Sequence, residues 1–125
     1  GTTPISNVSV QSLSGTTPIS NVSVQSLSGT TPTWNVLNGV NAQISLTGNT
    51  TITMSNLIAG MTGNLTVTNS STAHTINFSG YTVKISPTLN STTGTITMSG
   101  SNEIDVLSWY YDGTYLIING TLIYE

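Results

Sequence analysis

The chain has 125 residues, enough for one modest hydrophobic core and an appendage, and only five of them are Asp, Glu, Lys or Arg. That is 4%, where an ordinary soluble domain carries about 25%. With Lys84 as the sole Lys or Arg, neither a nucleic-acid surface nor a polybasic membrane patch can be built, and the absence of cysteine excludes disulfides and thiolate metal sites.

The charged residues are replaced by Ser, Thr, Asn and Gly, yet 36% of the chain is apolar, so the composition predicts folding rather than disorder. Uncharged polar surfaces suit side-by-side packing with copies of the same chain. No apolar run approaches the ~18 residues of a membrane-spanning helix.

Residues 1–14, GTTPISNVSVQSLS, recur letter for letter as residues 15–28, and a third copy begins at Gly29. Within a unit, Val8 and Val10 alternate with polar neighbours as a short strand does, Leu13 marks a weaker strand or bend, and GTTP reads as a turn. Four apolar side chains per unit (Ile5, Val8, Val10, Leu13) cannot close a core, so such units need stacked or sister neighbours. Three chains wound about one axis supply them, which predicts a trimeric stalk over 1–33. The third copy keeps GTTP and Asn35-Val36 but carries Trp34 at the Ser6/Ser20 position, as a terminal capping repeat would.

From residue 34 onward the pattern is all β. AQISLT (Ala42, Ile44, Leu46), TITMS (Ile52, Met54), NLTVTN (Leu65, Val67), HTINFS (Ile76, Phe78), YTVKIS (Tyr81, Val83, Ile85) and a second TITMS (Ile96, Met98) each alternate apolar with polar. Turn clusters separate them, and strands recur every ~8–12 residues, the spacing of a sandwich, barrel or prism-like stack. Helical turns are expected only around NLIAGM (56–61). In EIDVLSWYYDGTYLIINGTLIYE, Asp112-Gly113 and Asn119-Gly120 are tight-turn signals, predicting a three-strand meander over 103–111, 114–118 and 121–124. Its strands are apolar on nearly both faces, which predicts one face against the core and one against a partner. The expectation is an all-β chain: a short β-repeat stalk (1–33) and an antiparallel sandwich or prism-like head (34–125), intertwined as a homotrimer. More apolar surface is expected than one chain can hide.

Few residues carry chemistry. His74 has no His, Asp or Glu nearby in sequence and reads as a satisfied histidine at a strand start rather than a metal ligand. No GxSxG elbow accompanies the serines. Glu103 and Asp105, at i and i+2, share one face of a strand opposite Ile104 and Val106; either is placed to pair with Lys84, and Lys84–Asp105 is the expected structural pair, setting register more than stability. Asp112 and Gly113 have an ordinary turn role. Trp109, Tyr110, Tyr111, Tyr115 and Tyr81 are candidates for a sugar-stacking platform, but read first as core or subunit interface. Catalytic, cofactor and metal sites are not expected.

At IDVLSWYYDGTYLIINGTLIYE the chain resembles the C-terminal β-domain of virion fibre proteins, of head or tail, from tailed bacteriophages that infect Bacteroidetes. The matching features are Tyr111-Asp112-Gly113-Thr114 after an apolar strand, a last strand bearing Tyr124, and ISLTGNTT over Ile44–Thr51. The resemblance covers about 34–125. It implies a trimeric, non-enzymatic subunit at the virion surface, touching other virion proteins and a host cell-surface glycan. A short repeat stands where that family carries a long shaft. An extracellular filament or adhesin subunit assembled by strand exchange is the alternative.

Overall fold

The computed structural model describes residues 23–89, 91–92 and 94–124; the first repeat and most of the second, where the stalk was expected, lie outside them. The described part is all β with two 3₁₀ turns. Strands β1 (Val24–Leu27), β3 (Asn41–Ser45), β5 (Thr62–Thr68), β7 (Thr82–Ile85), β10 (Ile104–Tyr111) and β11 (Tyr115–Tyr124) form the larger sheet, in the order β1-β3-β5-β10-β11-β7. The smaller sheet has the order β2-β4-β6-β9-β8, from β2 (Thr33–Asn35), β4 (Thr50–Ser55), β6 (Thr75–Ser79), β9 (Thr95–Thr97) and β8 (Ser91–Thr92).

From β1 to β6 the chain alternates between the two sheets, and each strand lies parallel to the one two places later: β1 on β3, β3 on β5, β2 on β4, β4 on β6. The path is therefore a winding of successive coils rather than a series of hairpins. After β6 the polarity changes. β10 runs antiparallel to β5, β11 antiparallel to β10, and β9 antiparallel to β6. The antiparallel head expected from strand spacing is thus corrected to a pair of mixed sheets.

Period-two alternation fills the interior. Ala42 and Ile44, Leu65 and Val67, Leu107 and Trp109, and Leu116 and Ile118 point inward from the larger sheet. Trp34, Ile52, Met54, Ile76, Phe78 and Ile96 meet them from the smaller one, and Trp34 packs edge-on against Trp109 at 5.9 Å between ring centroids. Twenty of the described apolar residues join this single cluster. Fully burying a Val, Leu, Ile, Phe or Met side chain contributes about 1.5–3 kcal/mol. Val24, Leu37, Ile58, Tyr110, Tyr115, Ile117 and Ile123 remain exposed on the described part of the chain.

The 33/34 boundary falls inside the first coil. β1 belongs to the second repeat and buries Leu27, while the Thr30 and Pro32 carbonyls of the third GTTP accept from the Thr51 and Thr53 N–H groups of β4. The Gln25 side chain also donates to the Asn35 and Gly39 carbonyls at 2.6 and 2.9 Å, tying β1 to the far corner of its coil. The helical turns sit at Val36–Asn38, where the Asn35 carboxamide accepts from the Leu37 N–H, and at Pro87–Leu89, not around 56–61.

The expected meander has two strands instead of three, because Asn119-Gly120 lies inside β11. Gly120 is needed there for approach rather than for turning: a Cβ would collide with the Val106 carbonyl and lie 2.9 Å from Leu107 Cα. Just beyond it the pairing of β10 with β11 shifts, from Val106 opposite Thr121 to Ile104 opposite Tyr124, an extra residue in β11 that bends the ladder. Gly63 is tighter still. A methyl group at Gly63 would fall on the Val40 carbonyl and 2.8 Å from Trp109 Nε1, which donates to that carbonyl. Gly63→Ala is expected to lower stability by about 1–3 kcal/mol through overpacking, read as a lower urea midpoint.

Candidate functional site

The five candidate aromatics divide among three surroundings. Trp109 is 3% exposed, with its indole N–H on the Val40 carbonyl at 3.2 Å, so it belongs to the core. Tyr81 and Tyr111 meet edge to face at 5.1 Å; the Tyr81 hydroxyl accepts from the Leu57 N–H and the Tyr111 hydroxyl donates to the Gly113 carbonyl. They pin the loop at 56–61 to the β10–β11 turn. Tyr110 and Tyr115, 45% and 37% exposed, stand on the outer face of the larger sheet with Ile117, 39% exposed. A five-membered aromatic platform is therefore not assembled.

Strand register builds the patch that is assembled. Tyr110 lies opposite Ile117 across β10 and β11, and Ile117 lies beside Lys84 on β7. The Lys84 ammonium sits 5.0 Å from the Tyr115 ring centroid, a cation–π contact at an exposed site. On the same face runs a polar ladder. Ser108 Oγ donates to Asn64 Oδ1 at 2.8 Å, the Asn64 N–H donates to Asn41 Oδ1, and Gln43 donates to Ser26 Oγ. Asn119 stands opposite Ser108. This face carries Lys84 as its charged strand residue and is apolar at one end.

Asp105 lies elsewhere. It shares the inward parity of Leu107 and Trp109, is fully buried, and leaves Ile104 and Val106 half-buried on the outer face. Its Oδ1 accepts from Ser99 Oγ and the Ile123 N–H, each at 2.6 Å, and its Oδ2 from the Ser99 N–H and Asn69 Nδ2, each at 2.9 Å. Burial alone would raise this carboxyl, but the hydrogen bonds from Ser99, Ile123 and Asn69 outweigh it and hold it below the ordinary value of 3.8. The expected Lys84–Asp105 pair is corrected: both carboxylate oxygens are taken within the core, and Lys84 is on the outer face. Sequence reasoning missed Asn69, Ser99 and Ile123 as partners; the one available signal was that Asp105 shares its parity along the strand with Leu107 and Trp109.

Asp112 closes the β10–β11 turn. Its Oδ1 accepts from the Tyr115 and Thr114 N–H groups at 2.7 and 2.8 Å, which holds its carboxyl below the ordinary value, and Gly113 takes φ +99°. His74 is half-buried, and its backbone carbonyl accepts from the Met98 N–H. No group of three His, Cys, Asp or Glu able to hold a metal occurs among the described residues, and no described helix is long and apolar enough to cross a membrane. Two open grooves flank the first coil. One is lined by Ser26, Leu27, Gln43 and Ile44, the other by Ser23, Val36, Leu37 and Met61, and neither lining contains a titratable side chain.

The Asp105 carboxylate is enclosed by its four donors, and the exposed face offers aromatic, amide and hydroxyl groups. No family model, no curated protein and no solved structure matches the chain.

Proposed function

We propose that this chain is a non-catalytic structural module of an extracellular appendage, of the virion-fibre kind, working as a homotrimer. In this reading its repeats lead into a two-sheet head whose outer face contacts sister chains, other virion proteins or a host-surface glycan. The observation that carries the reading is the exposed Tyr110–Ile117–Tyr115 patch on a face with one charge. Three large side chains gathered on one nearly uncharged face are the kind of feature interfaces bury. The sequence motifs over Ile44–Thr51 and Tyr111–Thr114 support the fibre assignment.

Native mass spectrometry tests it. The chain of 13.0 kDa is expected to appear as a trimer, and the Tyr110→Ser/Ile117→Ser double variant as a folded monomer. A monodisperse, folded wild-type monomer at micromolar concentration would overturn the reading. A second reading is a filament subunit assembled by strand exchange, for which the tandem repeat, with Val8 and Val10 alternating with polar neighbours, offers a segment to donate. Growth that continues with concentration, instead of stopping at three chains, would select it.

A further inference from the structure

We propose that Asn38-Gly39 is a self-modification site, at which the folded chain deamidates to aspartate and isoaspartate with water as the only co-reactant. The proposal goes beyond the appendage reading and holds whatever the appendage serves.

The Gly39 nitrogen forms a bond to Asn38 Cγ, the Cγ–Nδ2 bond breaks, and Nδ2 leaves as ammonia with the proton that the Gly39 amide gives up. Water then opens the cyclic imide. Opening at Cγ leaves aspartate; opening at the Asn38 main-chain carbonyl leaves isoaspartate, whose backbone runs through Cβ. A glycine after the asparagine leaves the attacking nitrogen unhindered, because glycine has no Cβ. The sequence has two such steps, Asn38-Gly39 and Asn119-Gly120, and one related step, Asp112-Gly113.

The fold separates the three. Asn38 is exposed and is the last residue of the 3₁₀ turn Val36–Asn38, where the Gly39 N–H donates to the Val36 carbonyl at 3.1 Å. Only this short turn has to open for the Gly39 nitrogen to swing towards Asn38 Cγ, and 3₁₀ turns hold their hydrogen bonds in poor geometry. Asn119 is exposed as well, but its backbone lies inside β11, with Ser108 opposite Asn119 and Leu107 opposite Gly120. The β10 backbone passes so close that a Cβ on Gly120 would collide with the Val106 carbonyl, so the Asn119–Gly120 peptide turns only if the ladder parts. Opening a short turn is a local event, whereas parting two core strands approaches global unfolding. Asp112 meets a different obstacle. Its Oδ1 is held by the Thr114 and Tyr115 N–H groups, and an ionised carboxylate offers no leaving group.

The product is felt in the first coil. The Gly39 carbonyl accepts from Gln25 Nε2 at 2.9 Å and from the Trp34 indole N–H at 3.0 Å. Isoaspartate inserts a methylene into the main chain immediately before Gly39 and displaces this carbonyl from the wholly buried Trp34 donor. Aspartate leaves the main chain as it was and adds one carboxylate to a chain of formal charge −3.

Incubation of the folded chain in warm, mildly alkaline buffer, followed by peptide mass mapping and enzymatic methylation of isoaspartate, tests the proposal. Asn38 is expected to be converted, with ammonia released and an acidic shift on native isoelectric focusing, while Asn119 and Asp112 stay unchanged. In urea both asparagines are expected to convert. The isoaspartate-bearing fraction is expected to unfold at a lower urea concentration than the starting chain, whereas Asn38→Asp keeps the wild-type midpoint. Asn38→Ser, with the near-ultraviolet circular dichroism of Trp34 and Trp109 intact, is expected to abolish the acidic shift. Conversion of Asn119 as fast as Asn38 in the folded chain would overturn the proposal. So would an Asn38 that stays intact over the time in which the unfolded chain is converted. The mass of the native assembly, on which the appendage reading stands or falls, does not enter this measurement.

Discussion

Asp105→Ala is expected to lower stability by about 3–5 kcal/mol, because it strips one buried acceptor group from four donors at once. Each donor left unsatisfied costs about 1–3 kcal/mol, and Asn69 alone retains a second acceptor, the Glu103 carbonyl. The carboxylate joins four separate segments: the loop after β5, the turn after β9, β10 itself and the end of β11. Ile123 gives the network further leverage. It is a β-branched residue at φ +74°, a conformation that costs of order 1–3 kcal/mol, and its N–H is held by Asp105. Urea unfolding of the variant checks the magnitude. The same site sets an acid limit. Its carboxyl ionises below 3.8 in the folded chain, so its contribution is complete above that value and is lost as pH falls through the lower folded value. Asp105→Asn is expected to abolish that part of the pH dependence, turning one accepting oxygen into a donor that faces donors. An unchanged acid slope in Asp105→Asn would refute the assignment.

Trp34→Ala is the second large effect, expected at about 3–5 kcal/mol. Trp34 is wholly buried, packs edge-on against Trp109, and donates its indole N–H to the Gly39 carbonyl at 3.0 Å. The change opens a cavity between the two sheets and removes a donor from a corner that Gln25 also ties. Tyr110→Ser removes no core contact and is expected to lower the thermal midpoint much less than Trp34→Ala, so the pair of midpoints separates core from contact surface.

The strands were legible wherever alternation was clean. Ala42/Ile44, Ile52/Met54, Leu65/Val67, Ile76/Phe78 and Ile96 all project from strands that the spacing predicted, and all are buried. What alternation does not encode is the neighbour. A period of two says which face a residue takes, while parallel pairing depends on where the connection returns, so a hairpin series and a two-sheet winding read alike. Asn119-Gly120 misled because the same dipeptide serves a tight turn or a close backbone crossing. Asp105 misled because charge argued for solvent while parity with Leu107 and Trp109 argued for the core, and parity prevailed once four donors converged on it. The aromatic platform failed for the same reason of parity: Trp109 and Tyr110 are adjacent in sequence, so one faces the core and the other solvent.

The polarity change beside β5 has a kinetic consequence. The β10–β11 hairpin closes through the short turn Asp112 to Thr114, and such elements form in microseconds. The coils on the other side of β5 each join positions far apart in sequence, as Val24 with Asn41 or Thr50 with Ile76, and must first lose loop entropy. Refolding is therefore expected to begin at the carboxyl-terminal hairpin and to recruit β5, then β3, then β1, like thread taken up on a bobbin that is cast before the thread is wound.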